Sequence, residues 1–178
     1  MTPDSDTGLL VQTSGGELYD TEIMGIEKGT FGKPGVMSGV IYYGTQSRLG
    51  TIEQNTDEGI FGAVNEKLRN RIKGDAIPIG YRQDVKKGKA YIRSSVSGEL
   101  KDYEIEIQRV DYVSSRRSKD MVIRVTDPEL LALTGGIVQG MSGSPIIQDG
   151  KLIGAVTHVF VQDSTRGYGI FIEHMLEH

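Results

Sequence analysis

The sequence has no cysteine and no tryptophan among its 178 residues. The lack of cysteine excludes disulfide bonds, thiolate nucleophiles and cysteine-ligated metal sites. Histidine is scarce, with His158, His174 and His178 only, and none of the three lies in an HExxH pattern. We therefore expect neither a metal site nor a cofactor.

Two further kinds of protein are excluded by what the chain has little of. Nowhere do about 18 apolar residues follow one another, as a membrane-spanning helix requires. Positive charge is not in excess either, because 20 Lys and Arg stand against 24 Asp and Glu, for a net charge of -4. A surface that binds nucleic acid needs the opposite balance. We expect a soluble globular protein without a nucleic-acid partner.

Glycine is abundant, with 24 residues spread among short segments rich in β-formers. Tyr103, Ile105 and Ile107, for example, alternate with polar side chains, as in a half-buried strand. Such patterns predict strands at 8–13, 18–26, 38–43, 48–53, 58–64, 76–82, 89–96, 101–113, 119–126, 136–139, 144–148, 151–161 and 167–172. Regular short strands with turns between them indicate an all-β sandwich or barrel.

Helical signals are few. Asp127 before Pro128 has the form of an N-cap with proline in the first turn, which predicts a helix over 128–133. A second short helix is predicted from Ile172. We expect a single domain over 1–178, with lobes at about 8–112 and about 119–176. Residues 176–178, Leu-Glu-His, are typical of an expression tag, although Leu176 and Glu177 fit a natural helix end equally well.

The run GMSGSP, residues 140–145, has the features of a nucleophile loop. A serine hydroxyl is a weak nucleophile until a base accepts its proton. Gly140 allows a turn that directs its own N–H and that of Ser142 at one point, forming an oxyanion hole. Gly143 leaves space for a substrate, and a hairpin turning at Asp149-Gly150 supports the loop. The alternative is an ordinary glycine-rich turn.

Residues 126–176, together with IEKGTFGKPG (26–35) and GIFG (59–62), make the chain resemble the SpoIVB peptidase family of endospore-forming bacteria. The resemblance covers nearly the whole chain. It implies a chymotrypsin-like serine endopeptidase with a double β-barrel, here incomplete at its N-terminus. It also implies a membrane-anchored parent with a PDZ domain, located between the two membranes around the forespore. There it would cleave itself and a membrane-bound regulator of an intramembrane metalloprotease, which leads to sigma-factor processing.

By motif, the resemblance assigns the nucleophile to Ser142 and the triad aspartate to Asp127. The family's histidine lies in a Gly-His-x-Ile-[ST]-Asp motif just before an Asp-Thr pair. Asp6-Thr7 matches that pair, so the histidine is expected ahead of Met1 and this chain is expected to be inactive. Asp127 also fits a helix N-cap, and the two roles are compatible.

His158 follows the serine by 16 residues. In a trypsin-like arrangement it lies in the wall of the substrate cleft, with Gly167 and Tyr168 opposite; the alternatives are a proton acceptor or an ordinary strand residue. A missing N-terminal strand would expose sheet edges and favour association or strand exchange between copies. A non-catalytic regulatory or binding module that retains the peptidase fold remains the second functional hypothesis.

Overall fold

The structure is a computed structural model that describes residues 15–113 and 117–178. The strand predicted at 8–13 lies outside these residues. Within them the strands are β1 (Glu17–Tyr19), β2 (Thr21–Glu27), β3 (Val36–Ile41), β4 (Arg48–Thr56), β5 (Gly59–Val64), β6 (Gly88–Ser94), β7 (Lys101–Val110), β8 (Met121–Val125), β9 (Pro145–Gln148), β10 (Lys151–Val159) and β11 (Arg166–Phe171). The α-helices are α1 (Glu66–Arg71), α2 (Pro128–Thr134) and α3 (Ile172–Met175).

The chain forms two compact units. Of the described residues, the first unit comprises 15–22, the segment Gly39–Ala76 and His178, and the second comprises those of Ile23–Ser38 and Ile77–Glu177. These units differ from the lobes expected at about 8–112 and about 119–176. The difference arises because β6 and β7 pair with the strands that follow them instead of those that precede them.

The first unit contains an antiparallel sheet in the order β1-β4-β5. Helix α1 begins after Asn65, whose side-chain oxygen accepts the N–H of Leu68 at 3.0 Å. Sequence patterning missed this helix because it has six residues and buries none of them, so no apolar stripe marks it. Leu49 is the one buried hydrophobic residue among those described in this unit.

The second unit is built around a closed antiparallel barrel in the order β10-β11-β8-β7-β6-β9. Alternate residues of β6, β7 and β8 face its interior. The core consists mainly of Ile92, Tyr103, Ile105, Ile107, Met121, Ile123, Leu130, Met141, Ile146 and Phe171. The predicted all-β class is therefore confirmed, with a single closed barrel among the described residues.

Two predicted strands are wrong. Over 76–82 the structure has an isolated parallel bridge, Ile79 to Leu152, and then a 3-10 turn at Arg82–Asp84. Pro78 interrupts this segment because it has no N–H to donate to a neighbouring strand. Over 136–139 there is again only a bridge, from Gln139 to Val36. Gly136, the first residue of this segment, has φ of +130°, so a regular strand cannot start there.

The hairpin of β9 and β10 turns at Asp149-Gly150, as predicted. Asp149 has φ of 51° and Gly150 has φ of 74°, which are the left-handed values of a type I′ turn. The two strands that this turn joins position the serine loop, since β9 begins at Pro145, directly after the loop. In the described part of the chain no helix is long and apolar enough to cross a membrane.

Candidate active site

The loop between α2 and β9 is bent by two glycines. Gly140 has φ of +105° and Gly143 has φ of +88°, values that L side chains rarely adopt. A Cβ on Gly140 would also lie 2.9 Å from the Cβ of Met37. Steric space and backbone conformation therefore both require glycine at position 140.

Ser142 lies exposed at the tip of this loop. Its hydroxyl donates to the carbonyl oxygen of Thr157 on β10 at 2.8 Å. The next residue, Gly143, donates its N–H to the carbonyl of Val156 at 2.8 Å. The serine is thus accessible to a substrate while its loop is fixed to the barrel.

The backbone amides of the loop fall into two groups. Met141, Gly143 and Ser144 each donate to a backbone carbonyl. The N–H groups of Gly140 and Ser142, by contrast, donate to no backbone carbonyl of the described chain. An oxyanion hole requires such free donors, because their partner is the charge that develops on the substrate carbonyl.

Thr157 is a member of the site that sequence reasoning missed. Its hydroxyl donates to the carbonyl oxygen of Ser118 at 2.6 Å, while its own carbonyl accepts the Ser142 hydroxyl. Ser118 lies in the 3-10 turn Arg117–Lys119 that precedes β8. Only the long-range pairing of strands brings these residues together, and no local motif marks a threonine within a strand.

Asp127 caps helix α2, as its position before Pro128 predicts. One carboxylate oxygen accepts the N–H groups of Glu129 and Leu130 at 2.9 and 3.0 Å. The other accepts the N–H of Glu104 on β7 at 3.2 Å. The N-cap is therefore confirmed, and both carboxylate oxygens are engaged by backbone donors.

The aspartate and the serine are anchored at different ends of β8. Asp127 follows the C-terminal end of this strand, whereas Ser118, which holds Thr157 beside Ser142, precedes its N-terminal end. The structure thus does not join Asp127 to the serine through a hydrogen bond among the described residues. The assignment of Asp127 to a catalytic triad stays a prediction.

The three predicted cleft residues lie together on the β10–β11 hairpin. His158 pairs with Tyr168, and Val159 pairs with Gly167. A Cβ on Gly167 would lie 2.4 Å from the carbonyl oxygen of His158, so glycine is needed for the close approach of the strands. His158 immediately follows Thr157, which places this group beside the serine loop. Its role in substrate binding remains a prediction.

His174 belongs to a buried pair. Its Nδ1 lies 2.9 Å from Asp120 Oδ2, which also accepts the N–H of Phe171 at 2.8 Å. Asp120 Oδ1 is buried without a hydrogen-bond partner in the described chain. Burial raises the pKa of the Asp120 carboxyl, while the Phe171 N–H and His174 act in the opposite direction. The pair fixes α3 to the start of β8.

None of the three histidines accepts the Ser142 hydroxyl among the described residues. His174 is held by Asp120, and His178 contacts Glu58 and stacks on Phe61 in the first unit. His158 is exposed on β10. Among the described residues, the hydrogen bond of the Ser142 hydroxyl goes to a backbone carbonyl and not to an imidazole.

A closed antiparallel β-barrel with few short helices, carrying an exposed serine on a loop bent by glycines, defines a chymotrypsin-like all-β fold. The chain belongs to the SpoIVB peptidase S55 family, whose sequence model matches residues 1–176. The protein is therefore a peptidase domain of a family that acts in sporulation. The same comparisons give no match to a curated protein or to a solved structure.

Proposed function

We propose that this chain is the peptidase domain of a serine endopeptidase with Ser142 as its nucleophile. One observation carries the proposal: an exposed hydroxyl lies beside the backbone N–H groups of Gly140 and Ser142, which have no backbone partner in the described part of the chain. Each such donor typically contributes about 3 kcal/mol to the stabilisation of an oxyanion transition state.

In the proposed reaction, Ser142 Oγ attacks the carbonyl carbon of the scissile peptide. As the Oγ–C bond forms, the hydroxyl proton passes to a base, and the base returns a proton to the leaving amine when the C–N bond breaks. Water then hydrolyses the acyl-enzyme by the same proton transfers in reverse. Because the Ser142 hydroxyl now donates to Thr157, the base must replace that carbonyl as the acceptor.

The base in this proposal is a histidine supplied from a segment N-terminal to Met1. The support is that His158, His174 and His178 all lie elsewhere than at the Ser142 hydroxyl. A chain limited to residues 1–178 is then inactive. The family's Gly-His-x-Ile-[ST]-Asp motif identifies the kind of segment that would restore activity.

Family membership also supports a more specific role. The parent protein would act between the two membranes around the forespore, where it cleaves itself and a membrane-bound regulator of an intramembrane metalloprotease. Cleavage of that regulator would allow sigma-factor processing. These steps would make the domain part of a signalling cascade.

The test is to extend the chain N-terminally with a segment carrying the histidine motif and to compare Ser142→Ala with Ser144→Ala. Loss of the nucleophile should lower kcat by at least about a thousandfold. Ser144 lies two residues away, and its backbone N–H donates to the carbonyl oxygen of Met141. Alanine keeps this backbone hydrogen bond, so Ser144→Ala should keep activity within a few-fold. Cleavage that persists in Ser142→Ala would exclude Ser142 as the nucleophile.

A further inference from the structure

The outer face of the barrel carries positively charged and aromatic side chains on the strands β7, β8 and β11 and on the segments next to them. Ile123 and Val125 of β8 point into the core, so Val122 and Arg124 point outward. Cross-strand partners share a face. The outward partners of Val122 are Tyr168 on β11 and Arg109 on β7.

The next pair of outward-facing residues along β8 and β11 is also positively charged, and an aromatic ring lies beside it. Arg166 on β11 is the partner of Arg124, and the N–H of Phe160 donates to the carbonyl of Arg166. We call this surface the cationic strip; its members are Arg109, Lys119, Arg124, Phe160, Arg166 and Tyr168.

The rings of the cationic strip lie between cations. The Arg166 guanidinium is 5.2 Å from the centre of the Phe160 ring, and the Phe160 and Tyr168 rings are 4.7 Å apart. The Lys119 ammonium lies 4.9 Å from the Tyr168 ring centre. Cation–π contacts of this kind fix the long side chains without neutralising them.

Carboxylates do not neutralise the strip. Within the described residues, none of its four cations forms an ion pair with Asp or Glu, although the whole chain has a net charge of -4. Glu106 is the cross-strand partner of Arg124, but its carboxylate accepts the Gln108 amide at 3.2 Å. Arg124 therefore lies opposite Arg166, and neither is bound by a carboxylate of residues 15–113 or 117–178.

Arg166 supplies a second sign of an absent partner. Its Nε is buried and has no hydrogen-bond acceptor within the described chain. Asp163 lies three residues before Arg166, and its Oδ1 accepts the N–H and the hydroxyl of Thr165 at 3.1 and 2.6 Å. An unpaired buried donor is costly, so the Arg166 side chain is held in place at a cost. The accessible part of this half-buried side chain remains available to a carboxylate.

We propose that the cationic strip binds an acidic segment of the polypeptide substrate. Its position supports this occupant, because Tyr168 pairs with His158, the residue after Thr157, and Thr157 holds the Ser142 hydroxyl. A substrate chain that leaves the serine along β10 meets the strip next. That the bound acidic peptide is a substrate rests on the proposed function, whereas the binding of an acidic peptide does not.

The shape of the strip favours a peptide over a membrane surface. Lipid-anchoring surfaces present protruding apolar side chains that enter the acyl region. Phe160 and Tyr168 are instead half-buried, with cations over both rings. The groups that remain exposed are charged, and carboxylate side chains complement them.

The test measures binding of a fluorescein-labelled polyglutamate peptide to the chain by fluorescence anisotropy. Arg109→Glu/Arg124→Glu reverses two exposed cations of the strip and should weaken binding at least about tenfold. The matched control is Lys86→Glu/Lys87→Glu, which makes the same charge change at two exposed lysines before β6. The control should retain binding within about twofold, and Ser142→Ala should bind like the unaltered chain.

Three results would overturn the proposal: no binding of polyglutamate at low salt, equal weakening in both double variants, or strip-dependent binding to phosphatidylglycerol vesicles without binding to polyglutamate. Because the assay needs no catalysis, its failure leaves Ser142 untested as a nucleophile. Conversely, an inactive peptidase that still binds polyglutamate through the strip would separate the two proposals. In an active extended chain, the strip variant should raise KM for acidic substrates and leave kcat unchanged.

Discussion

The Ser142 hydroxyl is positioned by a residue outside its own loop. It donates to the Thr157 carbonyl, and the Thr157 hydroxyl is in turn tied to the carbonyl of Ser118. A proton acceptor has to displace the Thr157 carbonyl from the serine hydroxyl without moving the serine. We therefore regard Thr157 as a positioning residue for the proposed reaction.

Thr157→Val tests this role, since valine has nearly the same shape but no hydroxyl. Loss of one hydrogen bond of about 1 kcal/mol should lower kcat of the extended, active chain by about fivefold and change KM little. Thr157→Ser should restore kcat. The matched control is Thr165→Val, which removes a hydroxyl bonded to Asp163 on the same hairpin.

The positioning role would be wrong if Thr165→Val lowered kcat as much as Thr157→Val did. It would also be wrong if Thr157→Ser failed to restore kcat. Either result would assign the effect to general stability of the hairpin, which a urea unfolding curve of each variant measures independently.

Helix α2 depends on its cap. Asp127 satisfies two N–H groups of the first helical turn and also accepts from Glu104 on β7. Asp127 therefore gives hydrogen-bond acceptors to N–H groups of the first helical turn and also joins the helix to the barrel. Asparagine and serine are also good N-caps, whereas alanine is not.

We expect Asp127→Ala to lower the free energy of unfolding by about 1 to 2 kcal/mol and Asp127→Asn to lower it by less than half of that. Chemical denaturation measures both. In the extended chain, Asp127→Asn should keep most of its activity, because Asp127 and Ser142 are anchored at opposite ends of β8. A loss of about ten-thousandfold with an intact fold would show instead that Asp127 orients the histidine.

The structural elements that were predicted correctly from the sequence are those determined by a few adjacent residues. The Asp149-Gly150 hairpin and the capped helix at Pro128 both follow from the conformations that a few adjacent residues favour. The strand predicted at 76–82 was wrong, because Pro78 limits pairing with β10 to a single bridge. Helix α1 was missed because it buries no apolar side chain.

The candidate site also has features that the sequence predicted from local residues and features that it could not predict. The bend at Gly140 and Gly143 and the exposed Ser142 could be predicted from GMSGSP, because the motif itself sets the backbone. The contact between Thr157 and Ser118 and the buried pair of Asp120 and His174 depend on which strands are neighbours in the barrel. Strand neighbours are separated widely in sequence, so no local pattern could reveal these contacts.

The apolar core of the molecule is distributed unevenly between its units. Apart from Leu49, every buried hydrophobic residue of the described chain lies in the second unit. Burial of apolar surface is the main source of stability, so the free energy of local unfolding should be higher in the second unit than in the first. The expected strand exchange between copies is untested by the structure and stays a prediction.

Native-state hydrogen exchange should separate the two units. The amides of β7 and β8, whose strands line the barrel core, should exchange at least about tenfold more slowly than those of β4 and β5 after correction for intrinsic rates. Equal protection in both pairs of strands would mean that the chain opens as one cooperative unit. Mass spectrometry of peptides from each pair is sufficient to decide.

The central claim is that Ser142 is the nucleophile of a peptidase whose histidine comes from another segment. Its most direct test is the mass of the protein after treatment with a fluorophosphonate. The account predicts a single adduct, located on Ser142, in a chain extended by the histidine segment, and none in its Ser142→Ala variant or in residues 1–178 alone. Failure of every extended form to label at Ser142 would contradict the account and support the alternative of a binding module that only retains the peptidase fold.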